Sequence, residues 1–270
     1  MAKVRALVVS GNGTNCERET AEACRLGGAD EVVVSPIWDL SAGETRLRDF
    51  RLLCLPGGFM DGDDLGSARA AANRWRHARV AGGERRLWDD LRAFVEAGGL
   101  VIGICNGFQL LVKLGMLPRL EAAEPVQRVT LTFNASGRFE DRWVTLVAEP
   151  RSPCLFTRGI ERLELPVRHG EGRLVGAPEE LEALTREHLC PLRYADPATG
   201  QPTEQYPLNP NGSPGGVAAL CDPSGRLFGL MPHPEAFLHR TLHPRWTREP
   251  GLPEEGAGVA IFRNAVQALR

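Results

Sequence analysis

Lysine is nearly absent from this 270-residue chain: Lys3 and Lys113 are the only two, so 30 of the 32 basic side chains are arginine. That skew reads as a coding bias of the source genome, because 34 acidic residues leave a formal net charge of only −2. Such a balance excludes the basic field that nonspecific nucleic-acid binding or docking on an anionic membrane requires. No apolar run approaches the roughly 18 to 20 residues that span a bilayer. The N-terminus lacks the charged-then-apolar pattern of a secretory signal. There are seven cysteines, an odd number with no C-x-x-C pair, which argues against a disulfide framework. A reducing cytoplasm is the expected compartment. Metal-ligand spacing, a P-loop and G-x-G-x-x-G are all missing, so no metal and no bound cofactor is expected in this chain.

What is present alternates. Apolar runs at residues 4–9, 31–34 and 52–55 read as buried strands, with helix signals over 16–26 and 87–96. Another strand runs into Cys105 and a helix follows it. This rhythm predicts a parallel sheet covered on both faces, whose sites form at the carboxyl ends of the strands. Residues 11–15, 56–59 and Cys105 all follow strands and are expected to gather at one edge. In the second half, residues 143–148, 163–168, 217–221 and 227–231 read as strands joined by turns, and 257–269 as a closing helix. The expected class is α/β: a flavodoxin-like, open, mostly parallel sheet with helices on both faces and some antiparallel strands in the C-terminal half. One domain over residues 1–270 accounts for it. Residues 73–86, NRWRHARVAGGERR, carry five arginines against one glutamate and read as an insertion. It is either a solvated loop, the usual fate of a charge run, or a partner-docking surface.

The most informative stretch is LVIGICNGFQ, residues 100–109. It places Cys105 on the turn between a buried strand and a helix, flanked by Gly103 and Gly107 as G-x-C-x-G. This is the thiol counterpart of the G-x-S-x-G nucleophile elbow. The glycines remove Cβ atoms where the backbone turns sharply. Helix N-termini favour thiolates and offer free N–H groups to a developing oxyanion. The bland alternative is a buried structural cysteine. A thiol nucleophile needs a base and a group to orient it. His233 follows the apolar strand FGLM in P-H-P-E, and in an extended segment Glu235 faces the same way. That makes His233 the candidate base and Glu235 its orienter; otherwise this is a surface turn. Oxyanion donors are expected from the Asn106 N–H and from L-P-G-G-F, residues 55–59, through Gly58 or Phe59. H-G-E-G, residues 169–172, is either a second acid/base pair or a loop packed beneath the site. N-P-N-G-S, residues 209–213, is turn chemistry and predicts a loop.

Together these segments resemble a class I, triad-type glutamine amidotransferase. They resemble most the glutaminase branch that serves phosphoribosylformylglycinamidine synthases of purine synthesis. The resemblance runs through GTNCERE (13–19), LPGGF (55–59), GICNGFQLL (103–111), FNASGRFEDR (133–142), VRHGEGRL (167–174), YPLNPNGSPGG (206–216) and MPHPE (231–235). It implies that Cys105 attacks the side-chain amide of L-glutamine, with His233 as base, Glu235 holding it, and the N–H groups of Phe59 and Asn106 on the oxyanion. Gln109 matches the motif glutamine associated with substrate, and Asn134 or Ser136 is implied at the amino-acid end. The ammonia would pass to a separate synthetase subunit, with or without a small accessory subunit. ATP and magnesium would act on that partner, which converts formylglycinamide ribonucleotide to the amidine. Three departures stand out: the long arginine-rich segment after LPGGF, the likeness of 133–142 and 206–216 to large single-chain synthases, and Ala236 where an arginine commonly follows H-P-E. Two other readings remain, a glutaminase serving a different synthetase and a non-catalytic binding module on the same fold.

Overall fold

Three central strands have every residue buried: β3 (Leu52–Leu55), β4 (Leu100–Ile104) and β11 (Leu227–Leu230). They lack the period-two alternation of a half-exposed strand because helices cover both faces. The computed structural model describes residues 3–120 and 126–270. In it these strands join β1 (Arg5–Ser10), β2 (Glu31–Pro36) and β10 (Ala219–Cys221) in a six-stranded sheet of order β10-β11-β4-β3-β1-β2. All neighbours are parallel except β10, which runs antiparallel to β11. The parallel part has the 2-1-3-4-5 order of flavodoxin-like sheets.

Helices α1 (Glu17–Leu26), α2 (Ile37–Ala42), α3 (Arg69–His77), α4 (Leu87–Glu96), α5 (Asn106–Lys113) and α7 (Val259–Ala268) accompany this sheet, and α1 packs against α7. The C-terminal half adds two small antiparallel layers. One pairs β5 (Val129–Phe133) with β8 (Glu171–Gly176). The other sets β6 (Glu140–Ala148) between β7 (Arg162–His169) and β9 (Leu192–Tyr194). Helix α6 (Pro178–Arg186) follows β8. The apolar core is continuous between the main sheet and these layers, with Trp75, Trp88, Tyr194, Phe108, Phe156, Phe228 and Phe262 fully buried. Among the described residues no helix is long and apolar enough to cross a membrane.

Residues 73–86 are a solvated loop only in part, with 81–85 exposed. Their first part is the end of α3, where Trp75 has no exposed surface. Buried Ala68, Ala71, Ala72 and Trp75 recur at helical spacing, a stripe too small in volume to stand out among the arginines. The charges are answered locally: Arg74 by Asp61 at 2.7 Å, Arg79 by Glu84, Arg85 by Asp90 and Arg86 by Asp89, each at 2.9 Å. Arg76 donates to the Lys113 carbonyl at the end of α5. The segment therefore braces the helix that carries the Cys105 turn. Replacing Trp75 by alanine is expected to destabilise the protein by about 3–5 kcal/mol in urea unfolding, the range for deleting a buried aromatic; a loss below about 1 kcal/mol would mean that the segment is not packed as described.

Candidate active site

Strand β4 ends at Ile104, and Cys105 turns the chain with φ 49° and ψ −102°, a conformation that L side chains rarely adopt. The turn is held on both sides. The Cys105 N–H donates to the Leu230 carbonyl of β11 at 2.8 Å, and the Cys105 carbonyl accepts from the Gln109 N–H at 3.0 Å. The glycines are dictated by backbone contact. A Cβ on Gly107 would lie 1.9 Å from the Leu55 carbonyl oxygen, and one on Gly103 would lie 2.5 Å from that of Gly107. The thiol faces a cavity of about 350 Å³ at the carboxyl edge of the sheet, with Cys16, Phe59, Arg168, His169 and His233 also on its wall. Its Sγ lies 3.7 Å from the Arg168 carbonyl oxygen.

His233 is anchored by its N–H to the Pro166 carbonyl of β7 at 2.8 Å. Its Nδ1 pairs with Glu235 Oε1 at 2.6 Å, both side chains being almost wholly buried. The pairing does not arise from an extended segment, as the spacing suggested. Residues Pro234–Ala236 form a single 3-10 turn that swings Glu235 back onto the imidazole. Burial opposes charge on His233, but the Glu235 carboxylate, with side-chain contacts to Cys105 and Cys16, outweighs it and holds the imidazole pKa well above its ordinary value. The other ring nitrogen, Nε2, is buried without a hydrogen-bond partner. Gly57 makes room for this ring, since a Cβ there would sit 2.8 Å from His233 Cε1.

The remaining expected residues divide. Asn106 opens α5, where the first N–H groups lack intrahelical acceptors. Its side chain is structural: Oδ1 accepts from the Met60 N–H at 2.9 Å, and Nδ2 donates to Asp63 and to Gln109 Oε1. The Phe59 N–H is not open to an oxyanion here, because it donates to the Gly13 carbonyl at 2.7 Å. Gly58, with φ +138°, is packed against that same carbonyl. Gln109 reaches the cavity wall, but its amide is engaged at both ends, by Asn106 and by the Glu171 carbonyl. Asn134 and Ser136 are not on the cavity wall. Ser136 belongs to a separate depression beside Tyr206 and Asn209. Asn134 is buried and spends its amide on backbone, donating to the Arg138 and His169 carbonyls and accepting from the Gly172 N–H.

That last contact explains H-G-E-G. His169 Nδ1 lies 3.1 Å from Asn134 Oδ1, and burial together with the charge on His233 pushes its pKa down to about 3. N-P-N-G-S is the loop its composition predicts, but a buried one. Asn211 Nδ2 donates to the Gly172 carbonyl at 2.8 Å, Ser213 Oγ accepts from the Leu174 N–H at 3.0 Å, and Asn209, Asn211 and Ser213 are all buried. Both motifs form one polar brace behind the cavity. Residues that sequence reasoning passed over as site groups include Cys16, Asp63 and Arg168, all on the wall, where Glu171 of H-G-E-G also stands. Cys16 carried one usable signal, its place just after β1 at the sheet's carboxyl edge. Its Sγ lies 4.0 Å from His233 Nδ1, and Cys16, His233 and Glu235 bring three ligating atoms within 4.8 Å of one another.

His169 gives a test of this environment. A neutral buried histidine binds fewer protons folded than unfolded, so its contribution to stability is complete above pH 6.5 and is lost as pH falls from there towards 3. Nitrogen-15 NMR of the imidazoles should show His169 neutral down to about pH 3, and His169→Gln should flatten the loss of stability over that interval. A His169 titration near 6.5 would contradict the packing.

Similarity to known proteins agrees with this architecture. Residues 3–268 match the family model of the CobB/CobQ-like glutamine amidotransferase domain. Phosphoribosylformylglycinamidine synthase subunit PurQ of Dehalococcoides mccartyi is 46% identical over 270 residues, covering 100% of this chain and 99% of that protein. The human phosphoribosylformylglycinamidine synthase is 41% identical over 261 residues, which are 91% of this chain and 18% of that much longer protein. A solved structure of PurLQS from Thermotoga maritima contains a chain that superposes with a TM-score of 0.70 at 27% identity, with full coverage of both. The chain therefore belongs to the CobB/CobQ-like glutamine amidotransferases and, within them, to the PurQ subunits of phosphoribosylformylglycinamidine synthase.

Proposed function

We propose that this chain is the glutaminase subunit of phosphoribosylformylglycinamidine synthase, hydrolysing L-glutamine at Cys105 and passing the ammonia to a synthetase subunit. The observation that carries the reading is the strained thiol turn at the N-terminus of α5, facing the same cavity as the buried His233–Glu235 pair. His233 Nε2, buried without a partner, takes the Cys105 proton, and the Glu235 carboxylate stabilises the imidazolium that results. The thiolate attacks the side-chain carbonyl carbon of glutamine. The oxyanion meets the Asn106 N–H, joined by that of Phe59 once it leaves the Gly13 carbonyl. Protonated His233 then returns its proton to the departing ammonia, leaving a γ-glutamyl thioester. Water activated by the same imidazole attacks the thioester and frees glutamate and the thiol. Glu235 fixes the ring tautomer throughout. Arg168 and Glu171 line the cavity and offer opposite charges to the two ends of the substrate's amino-acid group.

ATP and magnesium act on the synthetase partner, where an amide oxygen is activated and displaced by the ammonia. A small accessory subunit joins the assembly, and the complex works in the cytoplasm, where the chain's seven unpaired thiols persist. Ammonia release is measured with the synthetase present. Cys105→Ala should abolish it, and His233→Ala should lower it by about 10⁴-fold or more. Glu235→Gln should be less damaging by roughly two orders of magnitude, because Glu235 orients the base without transferring the proton. Equal ammonia release by wild type and Cys105→Ala would overturn the mechanism. Equal and total loss at His233 and Glu235 would mark the turn as structural.

A further inference from the structure

Cys16 has no part in the reaction described above, yet its thiol shares the buried corner that holds His233 and Glu235. Cys16 and His233 both line the cavity wall, so a small ion has a path to them. Glu235 Oε2 is buried with no hydrogen-bond partner, although Oε1 alone suffices to orient the imidazole. Such an acceptor calls for an explanation. The thiol pair Cys24 and Cys54, 3.5 Å apart, belongs to no comparable group of three among the described residues.

We propose that Cys16, His233 and Glu235 form an inhibitory site for a thiophilic divalent cation of the zinc type. One sulfur, one imidazole nitrogen and one carboxylate oxygen suit zinc, and three protein ligands leave the fourth position for a water on the cavity side. A tetrahedral zinc holds sulfur and nitrogen roughly 3.6 Å apart and nitrogen and oxygen roughly 3.3 Å apart. The observed 4.0 Å separation of Cys16 Sγ and His233 Nδ1 must close slightly, and the 2.6 Å Nδ1–Oε1 contact must open. The thiol gives up its bond to Asn15 Oδ1, now 3.0 Å long.

The charges balance. Zinc displaces the proton of the Cys16 thiol while the imidazole's single hydrogen moves from Nδ1 to Nε2, and it binds one thiolate, one carboxylate and one neutral imidazole. The product is a neutral centre, the kind of site that burial tolerates. The imidazole then carries its hydrogen on Nε2 and cannot accept the Cys105 proton, so thioester formation stops. Because the thiol proton is released, affinity rises with pH.

Binding rests on the geometry alone, while inhibition rests on the glutaminase reading, and the two are measured separately. Zinc affinity is read by competition with a chromogenic chelator on the chain in complex with its synthetase. Wild type should take up the ion, Cys16→Ala and Cys16→Ser should bind it more than about tenfold more weakly, and Cys105→Ala should bind as wild type does. X-ray absorption should show a single sulfur neighbour in both wild type and Cys105→Ala. Unchanged affinity in both Cys16 variants, or loss of affinity in Cys105→Ala, would overturn the site. In the activity arm, each protein is compared with its own zinc-free rate of ammonia release. Zinc should suppress wild type at concentrations that leave Cys16→Ser unaffected. Zinc that binds wild type without slowing it would overturn the inhibitory role, whereas absence of any Cys105-dependent ammonia release would defeat the glutaminase reading and leave the binding result standing.

Discussion

The start of α5 crosses the end of β3 in direct backbone contact. The space between Gly107 and the Leu55 carbonyl admits no side chain, and Gly103 is pressed against Gly107 in the same way. Given that passage, the chain can leave β4 and enter α5 only through a residue with positive φ, and that residue is Cys105. Strain of this kind costs about 1–3 kcal/mol and persists only where the surroundings over-determine it. Here the β11 strand on one side and the first turn of α5 on the other supply that constraint. The outcome is a buried thiol turned to the cavity at the sheet's carboxyl edge, with helical N–H groups behind it.

The second half of the chain supplies what the sheet cannot. Strands β7 and β8 bring Arg168, His169 and Glu171 to the cavity, and the backbone that carries them is fastened by Asn134, Asn211 and Ser213. These are buried polar groups with their amides largely paired, the condition under which such a network rigidifies its surroundings. The same fastening reaches the nucleophile's helix, because Gln109 on α5 donates to the Glu171 carbonyl. Gln109 and Asn134 thus act on the site's shape, with their hydrogen bonds already spent on protein.

Two buried histidines share this pocket and are driven in opposite directions. His233 has a carboxylate at 2.6 Å and is held protonatable well above its ordinary range. His169 has only a neutral amide beside it, and the charge on His233 makes a second cation unfavourable. Divergent environments of this kind divide roles between residues of one type. Only one of the pair is suited to proton transfer, although both follow apolar strands and both stand beside glycine or proline and a nearby glutamate.

The alternation of apolar runs by itself determined the parallel sheet, because strands buried on both faces must be apolar throughout. The motif G-x-C-x-G similarly determined the elbow, because only glycine tolerates such backbone contact. Helix α3 was hidden, since its buried stripe of Ala71, Ala72 and Trp75 is interrupted by arginines and holds only one large apolar side chain. Other decisions belong to the tertiary structure. Whether an asparagine faces substrate or backbone depends on partners far along the chain, as Asn134 with His169 and Asn211 with Gly172 demonstrate. Whether the Phe59 N–H is open depends on the Gly13 carbonyl that β1 delivers beside it. The nearness of Cys16 to His233, 217 positions away, comes from the sheet order that sets these loops side by side. Local sequence encodes backbone shape, but hydrogen-bond partners and local charge are set by what the fold brings into contact.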